Sequence, residues 1–236
     1  MLVLAIDTAT KIGSVALYDD KIGVIGEINL YVKVNHSNVI MDAVDSLFKL
    51  SRLNIKDVDR IAVTIGPGSF TGIRIGTAIA KGLAYSLKKP IVGVNELDVL
   101  AHMGENREDI IVPLIDARKE RVYFSKYRYI DNILLREEEY KDGELRDVLE
   151  DLKGKKVTFI GDGATVNEKL INEILEKDYN IYSKANSIPR AGVAAQISLH
   201  LPEDNLYTLE PLYVNKSQAE REKEERKKEI VDISSI

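Results

Sequence analysis

Leu2 to Asp7 is a short, almost wholly apolar run, and Ser14 to Tyr18 and Val24 to Leu30 follow it with β-branched residues between glycine-containing and Asp-Asp turns. That pattern predicts a three-strand meander. From Ser37 the apolar positions Ile40, Ala43, Val44, Leu47, Phe48 and Leu50 fall mostly at helical spacing, with Asn38, Asp42, Asp45 and Lys49 opposite and Ser37 or Asn35 available as a cap. Ile61 to Ile65 then reads as a strand, a glycine loop follows, Phe70 to Leu87 reads as a helix, and Lys88 to Val94 starts another strand. The first half is therefore predicted as βββαβαβ.

The Phe70 to Leu87 helix carries more apolar and small surface than one sheet requires. Projected at ~100° per residue, only Arg74, Lys81 and Tyr85 make a clear polar strip, while Ile75, Ile79, Leu83 and Leu87 form an apolar row and Gly72, Gly76, Ala80 and Ala84 a row of small residues. Glycine costs a helix about 1 kcal/mol relative to alanine, so the small row needs an offsetting close contact. That contact is either internal packing or a second helix from another subunit.

The second half echoes the first. "LAIDTATKIGSVALYDD" from Leu4 and "PLIDARKERVYFSKYRY" from Pro113 both run apolar strand, Asp, short polar turn, second strand, and "VTIGPGS" from Val63 is echoed by "VTFIGDGAT" from Val157. The offsets, 109 residues for Asp7 to Asp116 and 95 for Gly66 to Gly161, indicate a duplicated α/β unit rather than a short-period solenoid. Two βββαβαβ halves facing each other across a cleft is the plan of the actin, sugar-kinase and heat-shock-chaperone ATPase folds. The expected division is residues 1–104, residues 105–215 and a charged tail over 216–236, with "MGENRED" (103–109) interrupting the apolar pattern at the boundary.

Composition narrows the function classes. A net charge of -5 argues against a broad nucleic-acid surface, and the absence of cysteine removes disulfides, thiolate nucleophiles and thiolate metal sites. No basic leader precedes the first strand and no run approaches the ~18 apolar residues of a membrane span, so a cytoplasmic protein is expected.

In a nucleotide-binding fold of this plan, a glycine-bearing hairpin from each half grips the phosphates, because backbone N-H groups must approach without a Cβ in the way. Here Asp7 is followed by Thr8, Ala9 and Thr10, and Asp116 by Ala117, Arg118, Lys119 and Glu120. The loop "GPGSFTG" offers Gly66, Gly68 and Gly72 at a helix N-terminus but lacks the Gly-Lys-Ser/Thr ending of a P-loop, so it reads as a tight turn with Ser69 or Thr71 as cap. Asp7, Thr8, Gly66, Gly68 and Ser69 are the weak candidates for nucleotide contact, and no bound cofactor is expected. His36, His102 and His200 lie far apart with no paired spacing, no nucleophile elbow is present, and neither a metal nor a catalytic residue is assigned.

The segments "LAIDTATKIGSVAL", "IAVTIGPGSFTGIRIGTAIAKGLA", "KPIVGVNELDVLA", "PLIDARKERVYF" and "PLYVNKSQAE", in order over nearly the whole chain, closely resemble the TsaB (YeaZ) family of bacterial tRNA threonylcarbamoyladenosine biosynthesis proteins. The resemblance implies an actin-like ATPase fold without catalysis, serving as partner of the catalytic subunit TsaD. With the ATPase TsaE, that pair modifies an adenosine beside the tRNA anticodon. It further implies that the helices over 37–53 and 70–87 pack on their counterparts in the partner, through Ile40, Val44, Leu47, Phe48, Gly72, Ile73, Gly76, Ala80, Leu83 and Ala84 here, and form a homodimer when alone. A nucleotide at the subunit boundary stays open. The rival readings are an ATP-dependent phosphotransferase on the same fold and, more weakly, a metallopeptidase.

Overall fold

Each half of the chain builds its sheet, of five strands in the first half and seven in the second, on the same five-strand order. The computed structural model describes residues 1–32, 36–104 and 109–214; Asn35, the side chains of His36 to Asn38 and the tail 216–236 lie outside the described residues, as does most of the expected boundary. In the first half β1 (Leu2–Asp7), β2 (Ile12–Asp19) and β3 (Gly23–Tyr31) form the meander, followed by α1 (His36–Ser51), β4 (Arg60–Gly66), α2 (Phe70–Leu87), β5 (Ile91–Asn95) and α3 (Glu96–His102). The second half runs β6 (Ile110–Asp116), β7 (Arg121–Phe124), β8 (Tyr127–Ile130), β9 (Ile133–Arg136), β10 (Lys141–Glu144), α4 (Leu145–Leu152), β11 (Val157–Ile160), α5 (Asp162–Val166), α6 (Glu168–Leu175), β12 (Tyr179–Ile181) and α7 (Ala191–Ser198).

The sheet orders β3-β2-β1-β4-β5 and β10-β7-β6-β11-β12 superimpose term by term. In both, two antiparallel pairings precede two parallel ones. The central strands β1 and β6, apolar along nearly their whole length as strands covered on both faces must be, end on Asp7 and Asp116. Gly66 and Gly161 stand after the neighbouring parallel strands with φ of 107° and 111°, a region that disfavours any side chain. The two sequence echoes are thus equivalent positions of a duplicated fold.

The second half departs from the shared plan by one insertion, the β8–β9 hairpin, which pairs with β6 through Ile111 and Tyr127. The terminal helices cross over. Leu97, Leu100 and Ala101 of α3 pack with Ile111, Ile115, Tyr127 and Ile160 of the second sheet. Ala191 and Ala195 of α7 pack with Val3, Ala5, Ala16 and Ala62 of the first.

The expected C-terminal unit 105–215 therefore differs from the spatial grouping, because residues 191–213 return to the first sheet. Arg60, almost fully buried, donates to the Ser198 carbonyl and faces Glu203 at 3.4 Å. Gly93 N donates to Asp204 Oδ2 at 2.7 Å and Leu212 N to the Ile65 carbonyl at 2.8 Å. Residues 204–213 form a strap along α2, where Lys81 Nζ donates to the Tyr207 and Leu209 carbonyls at 3.2 and 3.1 Å and Arg74 Nε to Tyr213 Oη at 2.9 Å.

The row of small residues expected at a partner interface is covered from within the chain. The sheet, α1 and the strap cover α2 on three sides. Ala80 and Ala84 sit in the first core with Ile40, Val44, Leu47 and Phe48, and Leu83 packs against it half-buried. Ile73 is buried, and so are Gly72 and Gly76. A Cβ on Gly72 would come under 3.0 Å from the Thr8 carbonyl oxygen, and one on Gly76 equally close to Thr8 Oγ1. The small row exists so that α2 can seat on the β1–β2 turn. What α2 leaves in solvent is Phe70, Thr71, Arg74, Ala78, Gly82, Tyr85 and Ser86, flanked by half-buried Ile75 and Ile79.

Candidate functional site

The two hairpin turns and the glycine loop meet at the C-terminal edge of the parallel strands, where open α/β sheets place their ligands. Asp7 is fully buried. Its Oδ1 accepts from Ala9 N at 2.9 Å and from Thr64 Oγ1 at 2.7 Å, which folds the turn back on the strand end. Thr8 Oγ1 donates to the Gly72 carbonyl at 2.7 Å, and Thr10 Oγ1 accepts from Ile12 N at 3.2 Å. Both threonine hydroxyls of the turn are thus engaged within the chain.

The glycine loop closes from the other side. Ser69 N donates to the Ala9 carbonyl at 2.6 Å, and Ser69 Oγ accepts from Gly72 N at 3.2 Å as the α2 N-cap. Of the two cap candidates, Ser69 takes the role. A Cβ on Gly68 would press on the Ala9 carbonyl group, so Gly68 serves the contact between loop and turn. Asp7, Thr8, Gly66, Gly68 and Ser69 do come together, as one interlocked turn.

A residue the sequence reading passed over completes this centre. Glu96, the first residue of α3, is fully buried, and when ionised neither of its carboxylate oxygens has a donor. A proton on Glu96 donates to Asp7, whose Oδ2 is otherwise unpartnered. Burial, with the neighbouring Asp7 charge next, raises Glu96 well above the usual carboxylate range. Burial also raises Asp7, to about 6, against the opposing bonds from Ala9, Thr64 and Glu96. Sharing a proton spares the two buried carboxyls from facing each other as like charges. "GVNELDV" gives no hint of this, since a Glu at a helix start is ordinary dipole chemistry.

The second turn is more open. Asp116 N donates to Asp162 Oδ1 at 3.0 Å and Asp116 Oδ1 accepts from Arg118 N at 2.9 Å. Arg118, Lys119 and Glu120, all exposed, carry φ of 66°, 53° and 58°. Asp162 is raised chiefly by burial, against the bond from Asp116 N and the charge of Lys11 on the first turn. The described residues contain no group of three or more His, Asp or Glu placed to hold a metal ion, and no described helix is long and apolar enough to cross a membrane.

The family model "TsaD: tRNA N6-adenosine threonylcarbamoyltransferase" matches residues 18–223. The tRNA threonylcarbamoyladenosine biosynthesis protein TsaB of Bacillus subtilis is 35% identical over 222 residues, covering 93% of this chain and 96% of that protein. Among solved structures, YeaZ from Pseudomonas aeruginosa superimposes with a TM-score of 0.76 at 22% identity, over 90% of this chain and 99% of that one. The activator of 2-hydroxyisocaproyl-CoA dehydratase from Clostridium difficile, solved with bound ADPNP, gives 0.50 at 10% identity over 85% and 95% of the two chains. The fold is that of the actin-like ATPases, and the chain belongs to the TsaB family of tRNA threonylcarbamoyladenosine biosynthesis proteins.

Proposed function

We propose that the chain is a noncatalytic subunit that binds and supports the catalytic threonylcarbamoyltransferase subunit TsaD, with the ATPase TsaE, in forming N6-threonylcarbamoyladenosine beside the tRNA anticodon. The observation that carries this reading is the closed first turn. Asp7 is sealed under Thr64 and Glu96, and the Thr8 hydroxyl is spent on the α2 backbone. A phosphate or its magnesium ion would have to displace α2 to reach either group.

The partner surface is then the outward face of the α1–α2 pair. Leu50 is 79% exposed and Tyr85 67% exposed, Met41 is also exposed, and a Cβ on Gly82 would meet nothing within 4 Å. Ala78 and Gly82, one turn apart, form the small-residue row that opens outward and lets a partner helix come close.

Mixing with the catalytic subunit and measuring complex mass tests the partnership. Tight one-to-one binding of ATP and magnesium by the isolated chain would overturn the noncatalytic reading. The interface has its own test in Gly82→Leu. Helix propensity improves, so the melting temperature should stay level or rise. Overpacking at a helix contact costs ~1–3 kcal/mol, so capture of the partner should weaken about tenfold to a hundredfold. Unchanged capture would move the interface off α2.

A further inference from the structure

The two histidines that the sequence separates by 98 positions line one cavity. His102 on α3 and His200 just after α7 sit at its rim, and the inserted β8–β9 hairpin supplies the opposite wall. The cavity is open to solvent and has a volume of about 450 Å³, within the roughly 300–1,000 Å³ of small-molecule sites. It is built from the crossing helices and from the one hairpin that the duplicated plan does not contain.

Its floor is a fixed polar unit. Tyr127 Oη donates to Asp98 Oδ1 at 2.6 Å and Tyr140 Oη to Asp98 Oδ2 at 2.7 Å. Burial, then the Asp98 charge, pushes both phenols up, so they remain donors and each carboxylate oxygen is capped. His102 Nδ1 donates to the Asp98 carbonyl at 2.8 Å, which leaves Nε2 for a ligand. The Arg136 guanidinium stacks 4.0 Å above the Tyr140 ring, and its nearest carboxylate, Glu139 at 3.7 Å, is 84% exposed and so a weak competitor. Leu134, Ile197 and Leu201 make the apolar wall.

We propose that this cavity binds a small organic anion, a carboxylate or phosphate group carried on an apolar body. Its one carboxylate already accepts from two hydroxyls, and a cation would face Arg136. A neutral apolar guest would leave the guanidinium and the imidazoles unpaired. An anion is held by Arg136 while its body lies on the tyrosine rings and the apolar wall.

The test is titration of the full chain with phenyl phosphate, followed by the NMR signals of the two imidazoles and the backbone amides, with benzyl alcohol and inorganic phosphate as comparison probes. Phenyl phosphate should saturate, with shifts confined to α3, the hairpin and α7, and the other two probes should bind at least about tenfold more weakly. Arg136→Gln should weaken phenyl phosphate about tenfold with the melting temperature unchanged. The assignment falls if benzyl alcohol binds equally well, if Arg136→Gln leaves the affinity unchanged, if the shifts lie elsewhere, or if no saturation appears by about 10 mM, well above the ~1 mM of a weak site.

Discussion

Gly72→Ala is expected to destabilise the isolated chain by about 3 kcal/mol or more, lowering the melting temperature by about 10 °C for a chain of this size. The new Cβ would lie under 3.0 Å from the Thr8 carbonyl oxygen, a backbone atom fixed by the neighbouring Asp7 turn. Neither α2 nor β1 can retreat, since Thr8 Oγ1 and Ser69 N bond the two pieces together at 2.7 and 2.6 Å. The gain in helix propensity, about 1 kcal/mol, has the opposite sign and is smaller.

Gly76→Ala should cost less, because its Cβ meets the Thr8 hydroxyl, which can rotate away at the loss of one hydrogen bond, about 1 kcal/mol. A Thr8→Ala background should then relieve Gly76→Ala and leave Gly72→Ala unrelieved, a coupling that thermal melts of the four variants measure. Level stability for Gly72→Ala, with partner capture reduced instead, would return this row to the surface.

The contrast shows what a helical projection can give. It groups Gly72, Gly76, Ala80 and Ala84 on one face and Arg74, Lys81 and Tyr85 on another, and the structure keeps both groupings. It does not say which face is inside when three elements cover the helix. The third cover, residues 204–213, lies more than a hundred positions away and has no strong period of its own. Lys81 and Arg74 read as a solvated strip because their partners there are carbonyl groups and one phenol, which sequence patterns do not display.

The first half was legible almost residue by residue, α2 falling on Phe70–Leu87 as expected. There, apolar runs alternate cleanly with glycine and aspartate punctuation. In the second half the duplication was legible through Asp116 and Gly161, but the β8–β9 hairpin was not. Its residues are mostly half or fully exposed, with Ile130, Ile133 and Leu135 in solvent, so no buried face imposes an alternation on the sequence. Glu96 and the meeting of His102 with His200 follow from chain crossing, which local pattern does not record.

The chain should gain stability as pH falls from about 7 to about 4, contrary to the usual carboxylate behaviour. Asp7 titrates at about 6 when folded and near 4 when unfolded, so between those values the folded state holds the extra proton. Its contribution is complete below the unfolded value and is lost as pH rises through about 6. Two pKa units correspond to about 3 kcal/mol, and Glu96, raised for the same reason, adds in the same direction. Asp162, facing Glu96 from the second half and opposed by Lys11, shares this sign. Surface groups such as Asp19 and Asp151 are lowered by their partners and lose stability only as pH drops through their depressed values, below about 4, leaving the window above that to the buried pair. Glu96→Gln supplies a permanent amide donor to Asp7 without needing a proton. Its denaturant midpoint should exceed that of the parent chain above about pH 7 and converge with it at about pH 4. Parallel pH profiles for the two proteins, or a parent chain that weakens as pH falls from about 7 to about 4, would show that the buried carboxyls do not share a proton and that the centre is held by another means.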